Sequence, residues 1–372
     1  MIRVLFNIRE DYLSNPGGDT IQLLKTAEAL RSLKVEVDID NEVKPDLNHY
    51  DVVHLFNLTR VRETLSQCEN ARKFNIPVAL STIYWNMDEF YRKGLNNPFK
   101  RIYHRMSRSS EIKLKLKKIA ALLLQKKFNS TENTKARIGF KAQQNYIVAS
   151  ADILLPNSEV EMECLRTDLE IKKKYVIVPN AVDSRFRNGS HEEFIQKYRQ
   201  HELKKDKFVL CVSRIEDRKN ILRLIQAVRN TSVTLVIIGG PNPTQKKYYE
   251  QCRKASGRNV IFIGQMSHNE LTSAFAAARV HVLPSWYETP GLSSLEAGLA
   301  GCNIVTTDRG STLEYFRDYA EYCDPSSVIS IKKAVLNAYE KPKSMELSQH
   351  IFERYTWTAA AQQTLKAYRK IL

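Results

Sequence analysis

Short apolar runs rich in Val, Ile and Leu recur along this chain and alternate with amphipathic stretches, a rhythm that admits few folds. In the first half the runs are Arg3–Ile8, Val35–Ile39, Asp51–Phe56, Pro77–Ser81, Asp152–Leu155 and Tyr175–Val178. In the second half they are Phe208–Val212, Thr234–Ile238, Val260–Ile263, Val280–Leu283 and Asn303–Val305. Runs this short and this continuously apolar are strands buried on both faces of a parallel sheet, because a half-solvated strand alternates instead. Between the first two, Ile21, Leu24, Leu30 and Leu33 fall at roughly helical spacing. The chain therefore reads as α/β.

At 372 residues the chain is too long for one ordinary core. Two Rossmann-like, doubly wound domains in series account for the two sets of runs. The apolar rhythm lapses from Asp183 to His201, which predicts domains at 1–184 and 185–356 and a final helix over 357–372. Hydrophobic residues make up 43% of the chain, which excludes a disordered one. Six cysteines with no C-x-x-C pair predict buried, reduced thiols. The start Met1-Ile2-Arg3-Val4-Leu5-Phe6 reads as a strand and not as a secretory leader. The apolar run Ile119–Leu124 falls far short of the ~20 residues needed to span a bilayer. A cytoplasmic protein is expected.

The formal charge is +16, which calls for an anionic partner. Much of the excess lies in residues 100–141, where 13 Lys and Arg stand against two acids. Within Ser110–Phe128 the apolar positions Ile112, Leu116, Ile119, Leu123 and Leu124 share one helical face, with Lys113, Lys117 and Lys118 elsewhere. The segment reads either as a solvated basic helix or as a peripheral contact with an anionic membrane on its inner face. A basic nucleic-acid-binding protein is the rival from a different class. No nucleic-acid-binding motif or Arg/Gly-rich tract supports it, and no nucleic acid partner is expected.

Ligands of doubly wound sheets bind beyond the carboxyl ends of the strands. After the first run comes Asn15-Pro16-Gly17-Gly18-Asp19-Thr20 and then a helix. The two glycines allow close backbone approach, and the helix start suits a phosphate. After Phe208–Val212, Arg214 and Lys219 bring two cations to one sheet edge, which suits a diphosphate. After Val280–Leu283 comes Pro284-Ser285-Trp286-Tyr287-Glu288-Thr289-Pro290-Gly291-Leu292-Ser293-Ser294-Leu295-Glu296-Ala297. Here the amides of Gly291, Leu292 and Ser293 open a helix, and Pro290 contributes none. Glu288 and Glu296 are acceptors suited to sugar or ribose hydroxyls.

The spacing Glu288-x7-Glu296 resembles the E-x7-E signature of retaining GT-B glycosyltransferases, family 4. Val178-Pro179-Asn180-Ala181-Val182-Asp183, Ser213-Arg214 to Lys219, and Thr307-Asp308-Arg309-Gly310 with Glu314 resemble further segments of that family in the same order. Gly17-Gly18 and Asp51-Val52-Val53-His54 fit its N-terminal half. The resemblance implies a GT-B architecture, two domains facing an interdomain cleft with the last helix packed back on the first. It implies transfer of a hexosyl or N-acetylhexosaminyl group, with retention, from a nucleotide diphosphate sugar, a UDP-sugar before a GDP-sugar. The acceptor would be a glycan or lipid-linked, in surface polysaccharide or glycoconjugate biosynthesis. Glu296 would bind ribose hydroxyls, and Glu288 the transferred sugar. Arg214 and Lys219 would neutralise the leaving diphosphate with neither metal nor cofactor. Gln265 and Met266 would hold the base through the main chain, Gly291–Ser293 the sugar and phosphate, and Gly17 and Gly18 would face the phosphates. Where the family often has T-x-H-D this chain has Thr82-Ile83-Tyr84-Trp85, so Tyr84 takes the sugar or acceptor contact and His54 a structural role. A sugar-nucleotide epimerase or non-catalytic sensor of the same architecture is the alternative within the fold.

Overall fold

The computed structural model describes residues 1–95 and 139–372. Two separate parallel sheets form. The first holds β1 (Arg3–Asn7), β2 (Glu36–Asp40), β3 (Val52–Phe56), β4 (Val78–Ser81) and β5 (Ile153–Leu154) in the order β2-β1-β3-β4-β5. The second holds β6 (Phe208–Val212), β7 (Thr234–Ile238), β8 (Val260–Ile263), β9 (Val280–Leu283), β10 (Asn303–Thr307) and β11 (Ala320–Cys323) in the order β11-β10-β9-β6-β7-β8. Every strand pairing within the two sheets is parallel. All residues of β3, β4 and β9 are buried, as strands covered by helices on both faces must be.

Each sheet reverses its winding at one place: between β1 and β3 in the first, and between β6 and β9 in the second. Such switch points leave a crevice where the loops of neighbouring strands diverge. The glycine loop leaves β1, the Arg214–Lys219 loop leaves β6 and the Glu288 loop leaves β9, so the fold delivers all three to the switch points.

Three local expectations differ from what forms. Tyr175–Val178 is no strand and makes only one isolated bridge, Leu154 to Tyr175. Ala320–Cys323 is a parallel edge strand without a continuous apolar run, because Glu321 interrupts it. The first helix, Gly18–Ser32, buries Leu23, Ala27 and Leu30, whereas Leu24 is exposed. Its inner face is set by what packs on it, the terminal helix Trp357–Tyr368, whose Ala360, Ala361, Ala367 and Tyr368 share the core with Leu23, Ala27 and Leu30.

Tyr368 also fixes that terminal helix by a polar contact. Its hydroxyl lies 2.7 Å from Nδ1 of buried His54, whose Nε2 lies 2.9 Å from the Ser81 hydroxyl. Burial pushes the His54 imidazole down to about 3, so it is neutral and structural. The stretch between the sheets, with Phe186 and Phe194, belongs to the second core. All six cysteines are free thiols. Among the described residues no helix is long and apolar enough to cross a membrane. The basic segment 100–141 lies, except for residues 139–141, outside the described residues.

Candidate active site in the interdomain cleft

The loop leaving β6 runs through Ser213 and Arg214 to a 3-10 turn, Asp217–Lys219, closed by Asn220 at φ 61°. The buried Asn220 side chain donates to the carbonyls of Pro284 (3.0 Å) and Pro325 (2.8 Å). The Trp286 amide donates to the Arg218 carbonyl at 2.9 Å. These ties hold the β6 and β9 loops against each other, and their consequence is an ion pair. Lys219 Nζ lies 2.5 Å from Glu288 Oε1, and both side chains are largely buried.

That pair is the end of a chain of alternating charge. Arg218 reaches Glu288 at 3.6 Å and Glu216 at 3.3 Å, and Glu216 faces Arg214 at 3.9 Å. Asn242 donates to Glu216 at 2.8 Å, and the Arg218 guanidinium stacks over the Tyr287 ring. Burial alone would raise the Glu288 carboxyl, but the charges of Lys219 and Arg218 hold it below the usual carboxylate range. The same balance, with Arg218 and Arg214 as the cations, keeps Glu216 ionised. Burial presses the Lys219 ammonium down, and Glu288 opposes that.

Glu288 is also fixed from behind. Its amide donates to the Arg309 carbonyl at 3.3 Å, and its carbonyl accepts from Ser311 N at 2.9 Å. Gly310 between them sits at φ 98°, and a Cβ there would lie 1.9 Å from the Glu288 carbonyl oxygen. Gly291 caps the helix Leu292–Leu299 at φ 90°, and a Cβ there would come within 3.5 Å of Glu288 Oε2. The amides of Leu292 and Ser293 in the first turn have no intrahelical acceptor. Glu288, Gly291, Leu292 and Ser293 are thus gathered at one helix start. Asn180, from the inter-sheet stretch, donates to the Thr289 carbonyl at 3.2 Å.

Glu296 lies one turn further along the same helix. It is buried beside His268, with Nε2 3.4 Å from Oε1. Burial pushes its carboxyl up to about 8, with Arg185 only partly opposing. Arg185 pairs with Asp183 at 2.7 Å, and Lys25 of the first domain approaches Asp183 at 3.4 Å. Gln265 and Met266 follow β8, where Gln265 Oε1 lies 3.9 Å from the site of a Cβ on Gly240. Ile215 donates to the Gly240 carbonyl, so the exits of β6, β7 and β8 adjoin.

The first domain meets this surface through its glycine loop. Arg214 Nη1 donates to Asn15 Oδ1 at 3.1 Å, and a Cβ on Gly18 would lie 3.7 Å from Leu292 Cδ1. Gly17 is in extended backbone, so its glycine character is steric: a Cβ would lie 2.7 Å from Asp19 Oδ1. Buried Arg9 organises the loop, donating to Asp19 at 2.7 and 3.1 Å, to Asp11 at 2.7 Å and to the Asn15 carbonyl at 2.9 Å.

Tyr84 is not brought to this constellation. Its ring lies in the first domain's core, and its hydroxyl donates to Asp168 at 2.9 Å. Buried Glu161 accepts from the Tyr84 amide at 2.8 Å, from the Asn157 amide at 2.9 Å and from the Thr82 hydroxyl. The loop after β4 therefore turns Tyr84 inward, which corrects its expected placement as a sugar contact. Arg218, Glu216 and Arg9 join the candidate site in addition to the residues that the sequence motifs mark. The alternation Arg-x-Glu-x-Arg-Lys over 214–219 was the available signal for the first two; nothing local marks Arg9. Among the described residues no group of three or more His, Cys, Asp or Glu is placed to hold a metal ion.

Two doubly wound, parallel-sheet domains in series make up the GT-B fold. Residues 193–354 match the family described as glycosyl transferases group 1. The chain is similar to glycogen synthase of Mycobacterium tuberculosis, 29% identical over 172 residues, 43% of this chain and 42% of that protein. It spans about half the length of the curated relatives it matches. Over the whole chain it shares its fold with sucrose-phosphate synthase from Thermosynechococcus elongatus, with a TM-score of 0.75, 15% identity and coverage of 100% and 99% of the two chains. It also shares its fold with the Anabaena protein Alr3699/HepE in complex with UDP and glucose, with a TM-score of 0.67, 15% identity and coverage of 100% of each chain.

Proposed function

We propose that this protein is a retaining glycosyltransferase that takes a hexosyl or N-acetylhexosaminyl group from a nucleotide diphosphate sugar, with UDP as the favoured nucleotide. The observation that carries the reading is the buried Lys219–Glu288 pair, continued by Arg218 and Arg214, beside a helix start at the switch point of the second sheet. The group 1 match over residues 193–354 supports the class, and the UDP complex of a protein with this fold supports the nucleotide.

In this reading Arg214, Lys219 and the amides of Leu292 and Ser293 receive the diphosphate. Charge grows there as the glycosidic C–O bond breaks, so fixed cations and amides stabilise the transition state more than the ground state. Glu288, kept ionised, accepts hydrogen bonds from the transferred sugar. Glu296 accepts from the ribose hydroxyls, and the main chain at Gln265 and Met266 meets the base. Gly17 and Gly18 leave room for the phosphates. No carboxylate acts as a covalent nucleophile, and no metal takes part.

The acceptor is a glycan or lipid-linked molecule of surface polysaccharide or glycoconjugate assembly. The enzyme is cytoplasmic and peripheral on the inner membrane face through its basic segment. Flotation with anionic and neutral liposomes tests that placement, and absence from both vesicle fractions removes it. The donor is tested by thermal shift against a panel of nucleotide sugars, since a ligand of the native state raises the melting temperature. Transfer is then assayed with and without EDTA. A stabilising nucleotide sugar and EDTA-resistant transfer are expected; no shift with any nucleotide sugar sinks the reading.

A further inference from the structure

The segment Glu89–Gly94 of the first domain reaches across the cleft and grips the Glu288 loop on both flanks. On one flank, Arg309 forms a two-pronged pair with Glu89, Nε to Oε2 at 3.0 Å and Nη2 to Oε1 at 3.3 Å. The backbone carbonyl of this same Arg309 accepts the Glu288 amide. On the other flank, the turn Phe90–Gly94 lies on Trp286, two residues before Glu288. The Phe90 and Trp286 rings are 6.5 Å apart, and a Cβ on Gly94 would lie 2.7 Å from Trp286 Nε1. Arg223 stacks over Trp286 at 5.2 Å and donates to the Lys93 carbonyl at 3.3 Å.

We infer that Glu89 is a positioning residue, which couples closure of the two domains to the setting of Glu288 through Arg309. The inference rests on the proposed transferase reading for its consequence in turnover, but not for the clasp itself. The charges around the clasp make it reversible. Glu89 also pairs with Lys93 of its own turn at 3.1 Å, and Arg309 pairs with Asp308 and, at 3.4 Å, with Asp324 of its own domain. When the cleft opens, neither Glu89 nor Arg309 is left without an opposite charge. The desolvation cost that makes breaking a buried pair expensive is thereby avoided, and both side chains are about a quarter exposed. A clasp of this kind can open and close with each turnover. When closed it holds Glu288 from Trp286 and Arg309 at once and keeps water from the donor.

The test compares the wild type, Glu89→Gln, Arg309→Gln and the double variant as full chains. In small-angle X-ray scattering each single variant is expected to enlarge the radius of gyration, and the double variant to add nothing, because either change alone breaks the clasp. In steady-state transfer Glu89→Gln should lower kcat about tenfold, as expected when a reacting group is slightly misplaced. Donor KM should move less than about threefold, and the share of donor lost to water should rise. A kcat and hydrolysis share equal to the wild type in Glu89→Gln would overturn the inference, as would losses that multiply in the double variant. If the wild type moves no sugar to any acceptor, the functional reading fails by itself. Scattering then decides the clasp, and an unchanged radius in both single variants overturns it.

Discussion

Lys219 and Glu288 face each other at 2.5 Å in the cleft wall, each delivered by a different strand exit of the second sheet. Burial pushes the lysine toward its neutral form and the glutamate toward its protonated form, and each charge opposes the shift of the other. Each favours the charged form of the other, so neither can be altered alone without consequence for both.

Lys219→Met should therefore lose both stability and turnover. It leaves Glu288 buried with Arg218 at 3.6 Å as its remaining close cation, which should cost about 3 kcal/mol. Transfer should fall about 10²-fold with the loss of one charge aimed at the leaving group. Adding Glu288→Gln should restore part of the melting temperature and none of the activity. Thermal melts and a transfer assay check this, and a single variant melting like the wild type contradicts the pairing.

Glu296 predicts a dependence on pH of known sign. Its carboxyl sits at about 8 in the folded chain against an ordinary 4.5. Between those values the folded state binds a proton that the unfolded state has released. Its contribution to stability therefore falls as pH rises from about 5 to 8 and levels off above. Glu296→Gln should melt higher than the wild type at pH 8, with the difference shrinking toward pH 5. Melts across that range measure the difference directly.

The same carboxyl should release a proton when a nucleotide binds near neutral pH, because ribose hydroxyls that donate to it favour its ionised form. His268 at 3.4 Å is neutral there, since burial lowers it, and does not mask the change. Calorimetric titration with UDP in two buffers of different ionisation enthalpy checks this. Equal apparent enthalpies in the two buffers would remove Glu296 from the nucleotide site.

Gly310→Ala should displace Glu288. The position needs φ 98°, and the new methyl would stand 1.9 Å from the Glu288 carbonyl oxygen. The backbone must move, at a cost of about 2 kcal/mol or more. Melting and transfer should both fall, and a fully active, stable variant would show that this loop does not set Glu288.

Tyr368→Phe separates the fold from the site. It removes the partner of His54 Nδ1 and should cost about 1 to 2 kcal/mol for the buried nitrogen left unpaired. Nucleotide binding should be unchanged below the melting transition, because no residue placed at the donor site touches this pair. A weakened nucleotide affinity would mean that the terminal helix also shapes the cleft.

Local order in this chain was written in the sequence. Continuous Val/Ile/Leu runs can be buried only between two helical layers, and so Val52–Phe56, Val78–Ser81 and Val280–Leu283 became interior strands from composition alone. Arg214, Lys219 and Glu288 stand in loops that leave strands and Glu296 in the helix that follows, and strand ends are where such sheets place their ligands, which is why the sequence offers these four as candidates. What only tertiary structure decided were the contacts between distant elements. Glu89 and Arg309 are 220 residues apart, and His54 and Tyr368 are 314 apart. No periodicity records such meetings, because they are fixed by how whole sheets and helices pack. The same holds for Tyr84, which the sequence offered to the cleft and which Glu161 and Asp168 draw into the core. The chain of charge from Arg214 to Glu288 has both origins: its ions lie close in sequence around 214–219, but it closes only because Asn220 binds the loop of one strand to the loop of another.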